Sequence, residues 1–163
     1  MFKLNCIESM TIEQKYRYML NLLQAQLSSE KNNLANLSNA SAIINVIFHD
    51  INWVGFYFME NDELVLGPFQ GLPACNRIKV GAGVCGTAVA QEKVQRVYDV
   101  HKFPTHIACD EATRSEIVVP IKVKGEVFGV LDIDSPKIGR FTELEEEYLI
   151  KFVKMLEKYL NEN

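Results

Sequence analysis

The chain has 163 residues, of which 48% are hydrophobic and 23% charged, a balance that fits one globular domain spanning 1–163 with a sizeable core. The formal net charge is −4 and the lysines and arginines are scattered, which argues against nucleic acid as a partner. There is neither an N-terminal secretion signal nor a stretch of roughly 20 apolar residues that could span a membrane, so we expect a cytoplasmic protein without a membrane partner.

Two amphipathic helices are predicted in the first third of the chain. Thr11 and Gln14 have the spacing of a capping box, so the first helix begins there. Its apolar residues recur at helical spacing: Tyr16, Met19, Leu20, Leu23 and Leu27. A second helix is predicted from about residue 30 to residue 48. Its apolar face would carry five residues: Leu34, Leu37, Ile44, Ile47 and Phe48.

From Trp53 onwards the pattern becomes that of short strands. Residues 53–59 and 63–66 are rich in β-branched and aromatic types and flank a turn at Asn61 and Asp62. This pattern predicts a hairpin.

The segment after this hairpin mixes short elements with a long loop. Strands are predicted at 77–80 and 94–97, with a small helix between them that runs through Ala88 and Ala90. Residues 101–114 have no clear period and contain two histidines and one cysteine. Because loops of this length inside compact domains are usually functional, this loop is a candidate for the site.

A second hairpin and a helix are predicted in the last third of the chain. Strands at 116–123 and 126–134 are joined at Lys124 and Gly125, where glycine can supply a positive φ, and these strands should be central. Thr142 begins a C-terminal amphipathic helix with another capping box. Helices at both ends of a mainly antiparallel strand series predict an α+β fold.

Three of the four cysteines, Cys75, Cys85 and Cys109, lie in the central, loop-rich part of the chain, whereas Cys6 is expected to be a bystander. Their spacing matches no zinc ribbon or finger, so no structural metal is expected. Three cysteines in one region permit a nucleophile, a resolving partner and a relay. The alternative for Cys85 is that it packs as a small apolar residue at a helix start.

Acidic and aromatic residues on the strands form a second candidate group. Asp132 and Asp134 alternate by two and therefore share a sheet face, and Glu116 begins the neighbouring strand. A carboxylate that faces a pocket could hold an ammonium group, although strand-end capping or solvent exposure is the alternative. Trp53 and Tyr57 also share a face and could wall a small pocket or pack in the core.

At these positions the sequence resembles the free methionine-(R)-sulfoxide reductase family, which has a GAF fold. The motifs that carry the resemblance occur in order along most of the chain: LVLGPFQ at 64–70, GLPAC at 71–75, GVCGTAVA at 83–90, HIACD at 106–110, SEI at 115–117 and GVLDIDS at 129–135. A GAF sensor domain would share the fold but would not be expected to carry the three cysteine motifs. The resemblance implies a thiol-dependent oxidoreductase that needs no cofactor.

The resemblance also implies roles for the cysteines. Cys109 would be the nucleophile, Cys75 its disulfide partner and Cys85 a further redox cysteine. Which of Cys75 and Cys85 resolves Cys109 stays open. Attack on the sulfoxide would leave a sulfenic acid that condenses to a disulfide, and thioredoxin or a similar dithiol would then reduce this disulfide.

The resemblance implies that Trp53 and Tyr57 help to enclose the substrate, while Glu116, Asp132 and Asp134 hold the sulfoxide or the amino group. The departing oxygen needs a proton, and Glu116 is the candidate donor because an enclosed, apolar site would raise its pKa. Asp134 is the alternative donor.

Two other functions fit the sequence. A GAF sensor would bind a small molecule without turnover, and a thiol redox switch would change conformation on oxidation without needing methionine sulfoxide. The amphipathic terminal helices could also pair two copies in a homodimer.

Overall fold

The computed structural model of the protein describes residues 4–160. Within this range the chain forms four α-helices: α1 (Ile12–Ser29), α2 (Asn33–Ile47), α3 (Gly83–Gln91) and α4 (Glu143–Glu157). The same range contains six strands: β1 (Trp53–Glu60), β2 (Glu63–Gly71), β3 (Arg77–Lys79), β4 (Gln95–Val97), β5 (Ser115–Val123) and β6 (Glu126–Ser135). None of the helices between residues 4 and 160 is long and apolar enough to cross a bilayer.

The six strands form one antiparallel sheet in the order β3-β2-β1-β6-β5-β4. The predicted α+β fold with an antiparallel sheet and helices at both ends is therefore confirmed. Both predicted hairpins form, and β5 and β6 are interior strands. Strand β1 lies at the centre beside β6, with Trp53 opposite Asp134 and Gly55 opposite Asp132.

The alternation of side chains along β1, β5 and β6 gives the sheet two different faces. One face carries apolar residues such as Val54, Ile117 and Leu131, which belong to the large core shared with α1, α2 and α4. The other face carries Trp53 and Tyr57, which pack with residues of α3. The first face is thus covered by three long helices, and the second by one short helix and loops.

Helix ends follow the predicted capping chemistry. Thr11 and Thr142 each accept a hydrogen bond from the following turn and form complete capping boxes, with Gln14 and Glu145 respectively. Helix α1 buries Tyr16 and the methionine and leucines that follow it on the same face. Both caps therefore confirm the predicted helix starts.

The prediction for the second helix was wrong at its N-terminus. The helix begins at Asn33 rather than at residue 30, because the Asn32 side chain caps it by accepting a hydrogen bond from the Ala35 N–H. Leu34 is consequently in the first turn, and its side chain is 65% exposed instead of buried. Leu37 and Ile44 do face the core as expected.

Candidate active site

The predicted site residues converge on one pocket. It lies on the sheet face opposite the three long helices, under the start of α3 and two loops at 72–75 and 103–114. Seven of the eight predicted residues line it: Trp53, Tyr57, Cys85, Cys109, Glu116, Asp132 and Asp134. Cys75 reaches the same place through its bond to Cys109.

Two of the cysteines are joined at the mouth of the pocket. Cys75 and Cys109 form a disulfide that links the two loops, with their Cα atoms 5.7 Å apart. Cys85 is a buried free thiol in the first turn of α3, and its Sγ donates to Glu116 Oε1 over 4.0 Å. Cys6 is exposed and lies outside the pocket.

Three carboxyl groups form the floor of the pocket. Glu116 lies opposite Asp134 in the β5–β6 ladder. Asp132 precedes Asp134 by two residues and lies on the same face of β6. Glu116 is 7% exposed and Asp132 is 5% exposed. The Oδ1 atoms of Asp132 and Asp134 are both buried without a hydrogen-bond partner among the described residues. Solvent exposure, the alternative for these acids, is therefore wrong.

The enclosure changes the ionisation of these groups. Burial raises the pKa of Glu116 well above its usual range, and the charges of Asp132 and Asp134 raise it further. Burial and the charge of Asp132 likewise raise the pKa of Asp134. The pKa of Asp132 is raised by burial but lowered by hydrogen bonds with Glu116 and Cys85. The three neighbouring buried carboxyl groups therefore share at least one proton at a pH at which an exposed carboxyl group is ionised.

The thiol of Cys85 shares this environment. Burial raises its pKa well above the ordinary value, and the charges of Asp132 and Glu116 act in the same direction. Cys85 is therefore held as a thiol, which is a poorer nucleophile than a thiolate.

The aromatic pair forms the wall and also holds one cysteine loop. The rings of Trp53 and Tyr57 stack with centroids 5.9 Å apart. Trp53 Nε1 donates to the Leu72 carbonyl oxygen at 3.2 Å, and the Tyr57 hydroxyl donates to the Cys75 carbonyl oxygen at 2.9 Å. These two hydrogen bonds fix the Cys75 loop to strand β1.

The start of α3 contributes backbone donors. Its N-cap residue, Ala82, has no side chain that could bond the first-turn N–H groups, and residues Ala82 to Cys85 line the pocket. Gly83 has φ +62°, and a Cβ at this position would lie 3.1 Å from Ile107 Cδ1. Glycine therefore permits both the backbone turn and the close approach of the second loop. Unsatisfied N–H groups at a helix start favour a bound anion.

The floor of the pocket also favours a cation. Cys85 Sγ and carboxylate oxygens of Glu116 and Asp132 lie within 4.8 Å of one another. An ammonium group or a metal ion could take up the negative charge here. The combination of buried carboxyl groups with helix N–H groups suits a zwitterion better than a metal ion alone, because both of its charges find partners.

Sequence reasoning missed several lining residues. Asp110, Thr113 and His106 face the pocket from the predicted functional loop, although only Cys109 was singled out there. Burial and the nearby His101 lower the pKa of His106, whose Nδ1 has no partner among the described residues. Asn52 was missed as well; it does not line the pocket itself but donates hydrogen bonds to Asp110 and Thr113, which do. The local signals available were the position of Asp110 beside Cys109 and the two histidines of this loop.

Comparison with protein families gives a match to the GAF domain over residues 32–160. The chain is 57% identical over 136 residues to the free methionine-R-sulfoxide reductase of Escherichia coli, covering 83% of this chain and 82% of that one. It is 47% identical over 133 residues to the free methionine-R-sulfoxide reductase of Saccharomyces cerevisiae, covering 77% and 74% of the two chains.

A solved structure extends the likeness to three dimensions. The free methionine-R-sulfoxide reductase of Neisseria meningitidis, determined in complex with its substrate, superimposes with a TM-score of 0.86 at 44% identity. The match covers 88% of this chain and 87% of that chain.

Proposed function

This chain belongs to the GAF domain family and, within it, to the free methionine-R-sulfoxide reductases, and we propose that it reduces free L-methionine-(R)-sulfoxide to L-methionine. One observation carries the proposal. A disulfide between Cys75 and Cys109 lies at the mouth of a pocket whose wall is aromatic and whose floor holds buried carboxyl groups. A binding domain without redox chemistry has no need of such a pair.

The two ends of the pocket suit a free amino acid. The substrate ammonium group would lie near Asp132 and Asp134, whose buried Oδ1 atoms have no hydrogen-bond partner among the described residues. The substrate carboxylate would accept hydrogen bonds from N–H groups at the start of α3. Trp53 and Tyr57 would enclose the apolar part of the side chain. A methionine inside a peptide lacks both charges and would leave these groups unpaired.

The reaction follows from the neighbouring thiol and acid. The Cys109 thiolate attacks the sulfoxide sulfur, the S–O bond breaks, and the oxygen ends on Cys109 as a sulfenic acid while methionine leaves. Glu116 supplies the proton that the departing oxygen requires, because its raised pKa keeps it protonated. Asp134, whose pKa is also raised, is the alternative donor.

The second half of the reaction regenerates the enzyme. The Cys75 thiol attacks the sulfenic acid, water leaves, and the disulfide forms. We assign the resolving step to Cys75 rather than Cys85 because Cys75 is within bonding distance of Cys109, whereas the raised pKa of Cys85 slows its attack. Cys85 remains a further redox cysteine in this proposal. A cytoplasmic dithiol such as thioredoxin would then reduce the half-exposed disulfide.

One domain spanning 1–163 suffices for this proposal. A homodimer is also proposed, since α1 and α2 leave a surface groove lined partly by apolar residues, among them Leu22 and Val46. Sedimentation of the purified protein would measure the number of copies.

A coupled assay tests the function directly. NADPH consumption by thioredoxin reductase and thioredoxin would be followed with free methionine-(R)-sulfoxide, with the S epimer and with a peptide that contains methionine sulfoxide. We expect turnover with the free R epimer alone. C109S should abolish turnover, whereas C6S, which alters an exposed cysteine outside the pocket, should not.

The same assay separates the other functions. A sensor would bind the amino acid without consuming NADPH. A thiol switch would consume NADPH once, for its own disulfide, and then stop whichever sulfoxide is present.

A further inference from the structure

Asn52 occupies the last position before β1 and bridges the sheet to the loop of Cys109. Its backbone N–H donates to the Asp134 carbonyl oxygen at 2.9 Å. Its side-chain Nδ2 donates twice, to Asp110 Oδ2 at 2.9 Å and to Thr113 Oγ1 at 3.1 Å. Both hydrogens of the amide are therefore donated to residues that follow Cys109 within the same loop.

The chemistry of the neighbours fixes the orientation of this amide. If its oxygen and nitrogen were exchanged, the amide oxygen would face the carboxylate of Asp110, which has no proton to donate when ionised. Asp110 is itself held in a local turn, in which its Oδ1 accepts from the Ala112 N–H at 2.9 Å and its carbonyl oxygen accepts from the Thr113 N–H at 3.2 Å. The loop thus presents a rigid acceptor to Asn52.

The hydrogen bond from Asn52 to Thr113 leads toward the floor of the pocket. Burial raises the pKa of the Asp134 carboxyl group, and the Thr113 hydroxyl, which accepts from Asn52, acts in the opposite direction. Thr113 is 4% exposed, so its side chain is shielded from water. Asn52 therefore orients Thr113 toward Asp134 and at the same time fixes the residue next to the nucleophile.

The two cysteine loops are both tied to β1, but by different residues. Trp53 and Tyr57 hold the Cys75 loop through its carbonyl oxygens. Asn52 is the corresponding tie for the Cys109 loop. In the oxidised protein the disulfide also holds Cys109 in place. Reduction breaks that covalent link. The hydrogen bond from Asn52 to Asp110 then holds the residue next to Cys109 to the sheet.

We propose that Asn52 is a positioning residue that holds Cys109 in place in the reduced protein, both for attack on the substrate and for closure of the disulfide with Cys75. The first role rests on the proposed reductase function, whereas the second depends only on the two thiols. The amide acts through Asp110 and Thr113 and does not touch the reacting atoms.

The test substitution is N52D, which keeps the shape of the side chain, removes both donated hydrogens and sets two carboxylates against each other. Two measurements are made on the purified protein. The first is the equilibrium between the Cys75–Cys109 disulfide and dithiothreitol, in which we expect the variant to favour the reduced form by about tenfold, because a loosened loop closes less readily. The second is the single-turnover rate of methionine formation, for which we expect a loss on the order of 100-fold.

A purely structural role would have a different signature. It would lower the stability of the oxidised and the reduced protein by the same amount and leave the dithiothreitol equilibrium unchanged, whereas positioning of Cys109 shifts that equilibrium. N61D is the matched control, since it introduces the same charge at the exposed turn after β1 and should change neither measurement.

Reversing the pair gives a rescue. The double variant N52D/D110N restores one donor and one acceptor with their places exchanged. Its equilibrium constant with dithiothreitol should return much of the way from the N52D value to the wild-type value. A wild-type equilibrium in N52D, or a double variant no better than N52D, would overturn the proposal. If the wild-type protein forms no methionine, the reductase function fails, and the disulfide equilibrium still decides the role of Asn52.

Discussion

The two faces of the sheet are built by the same strands, but they bury opposite kinds of side chain. On the helix-covered face, Val54, Ile117 and Ile133 are fully buried among apolar neighbours. On the pocket face, Glu116 and Asp132 are nearly as buried, although they directly precede Ile117 and Ile133 in the chain. Burial lowers the free energy of the first group and raises that of the second when it is ionised.

This difference indicates how one small sheet can serve both stability and chemistry. Because side chains alternate along a strand, neighbouring positions can belong to separate environments. The apolar face supplies the free energy that keeps the fold intact, and the pocket face uses part of it to hold carboxyl groups in an unfavourable, partly protonated state. Substitutions on the two faces should therefore act in opposite directions.

The largest effect on stability is expected on the helix-covered face. Phe152 in α4 is fully buried in the large core, and F152A should lower the free energy of unfolding by about 3–5 kcal/mol through lost contacts and a cavity. Denaturant unfolding measures this change. The refolded fraction should keep its turnover per molecule, since the pocket lies on the other face.

The same helix offers a control. Ile150 is 36% exposed, so I150A should change the free energy of unfolding by less than about 0.5 kcal/mol. An equal loss in both variants would mean that α4 contributes by helix propensity and not by packing.

The next largest effect is expected on catalysis in the pocket. E116Q keeps the size of the side chain but removes the proton that the sulfoxide oxygen requires, so turnover should fall about 100-fold, the lower end of what general acid catalysis supplies. Circular dichroism should report an unchanged fold. E111Q, at an exposed loop position, is the matched control and should have wild-type turnover.

The pH dependence sharpens the assignment of the proton donor. In the wild-type protein, turnover should fall as the pH rises through the raised pKa of Glu116, because the donor is then ionised. Glutamine does not titrate, so E116Q should lack this alkaline fall. An alkaline fall that persists in E116Q and disappears in D134N would assign the proton to Asp134 instead.

The smallest effect has the opposite sign from the change in the core. D134N should raise the free energy of unfolding by on the order of 1 kcal/mol at neutral pH while reducing turnover, because it removes a carboxyl group that is costly to ionise when buried. Thermal unfolding of the variant and the wild-type protein measures the difference.

The sign follows from proton linkage. The pKa of Asp134 is raised on folding, so between its unfolded and folded values the folded protein binds more protons, and the stability it contributes is lost as the pH rises through that window. The advantage of D134N should therefore shrink as the pH falls toward about 4 and vanish well below it, where the unfolded carboxyl group also holds its proton. D62N, at an exposed turn, should show neither effect.

Much of the fold could be predicted because its signals are local. A capping box spans four residues, so Thr11 and Thr142 marked two helix starts without reference to the rest of the chain. Alternation identified β5 and β6 and placed Asp132 and Asp134 on one face. The burial of Leu34 was predicted wrongly because the helix begins about one turn later than expected. The Asn32 cap sets that start, and Leu34 then lies in the exposed first turn.

The residue types of the site could also be predicted, but their contacts could not. Nothing near Asn52 in the sequence indicates that its amide meets Asp110 and Thr113, which follow 58 and 61 residues later. The hydrogen bonds of Trp53 and Tyr57 to the Cys75 loop were equally hidden, since they end on backbone carbonyl oxygens that every residue carries.

The sequence by itself determined the helix caps, the strand alternation and the presence of three cysteines and three acids in one region. Only the tertiary structure decided that two cysteines 34 residues apart have Cα atoms 5.7 Å from each other, and that Glu116 lies opposite Asp134. The physical reason is the range of the interactions. Caps and periodicity depend on a few adjacent residues, whereas strand register, burial and the raised pKa values depend on every element that encloses the site.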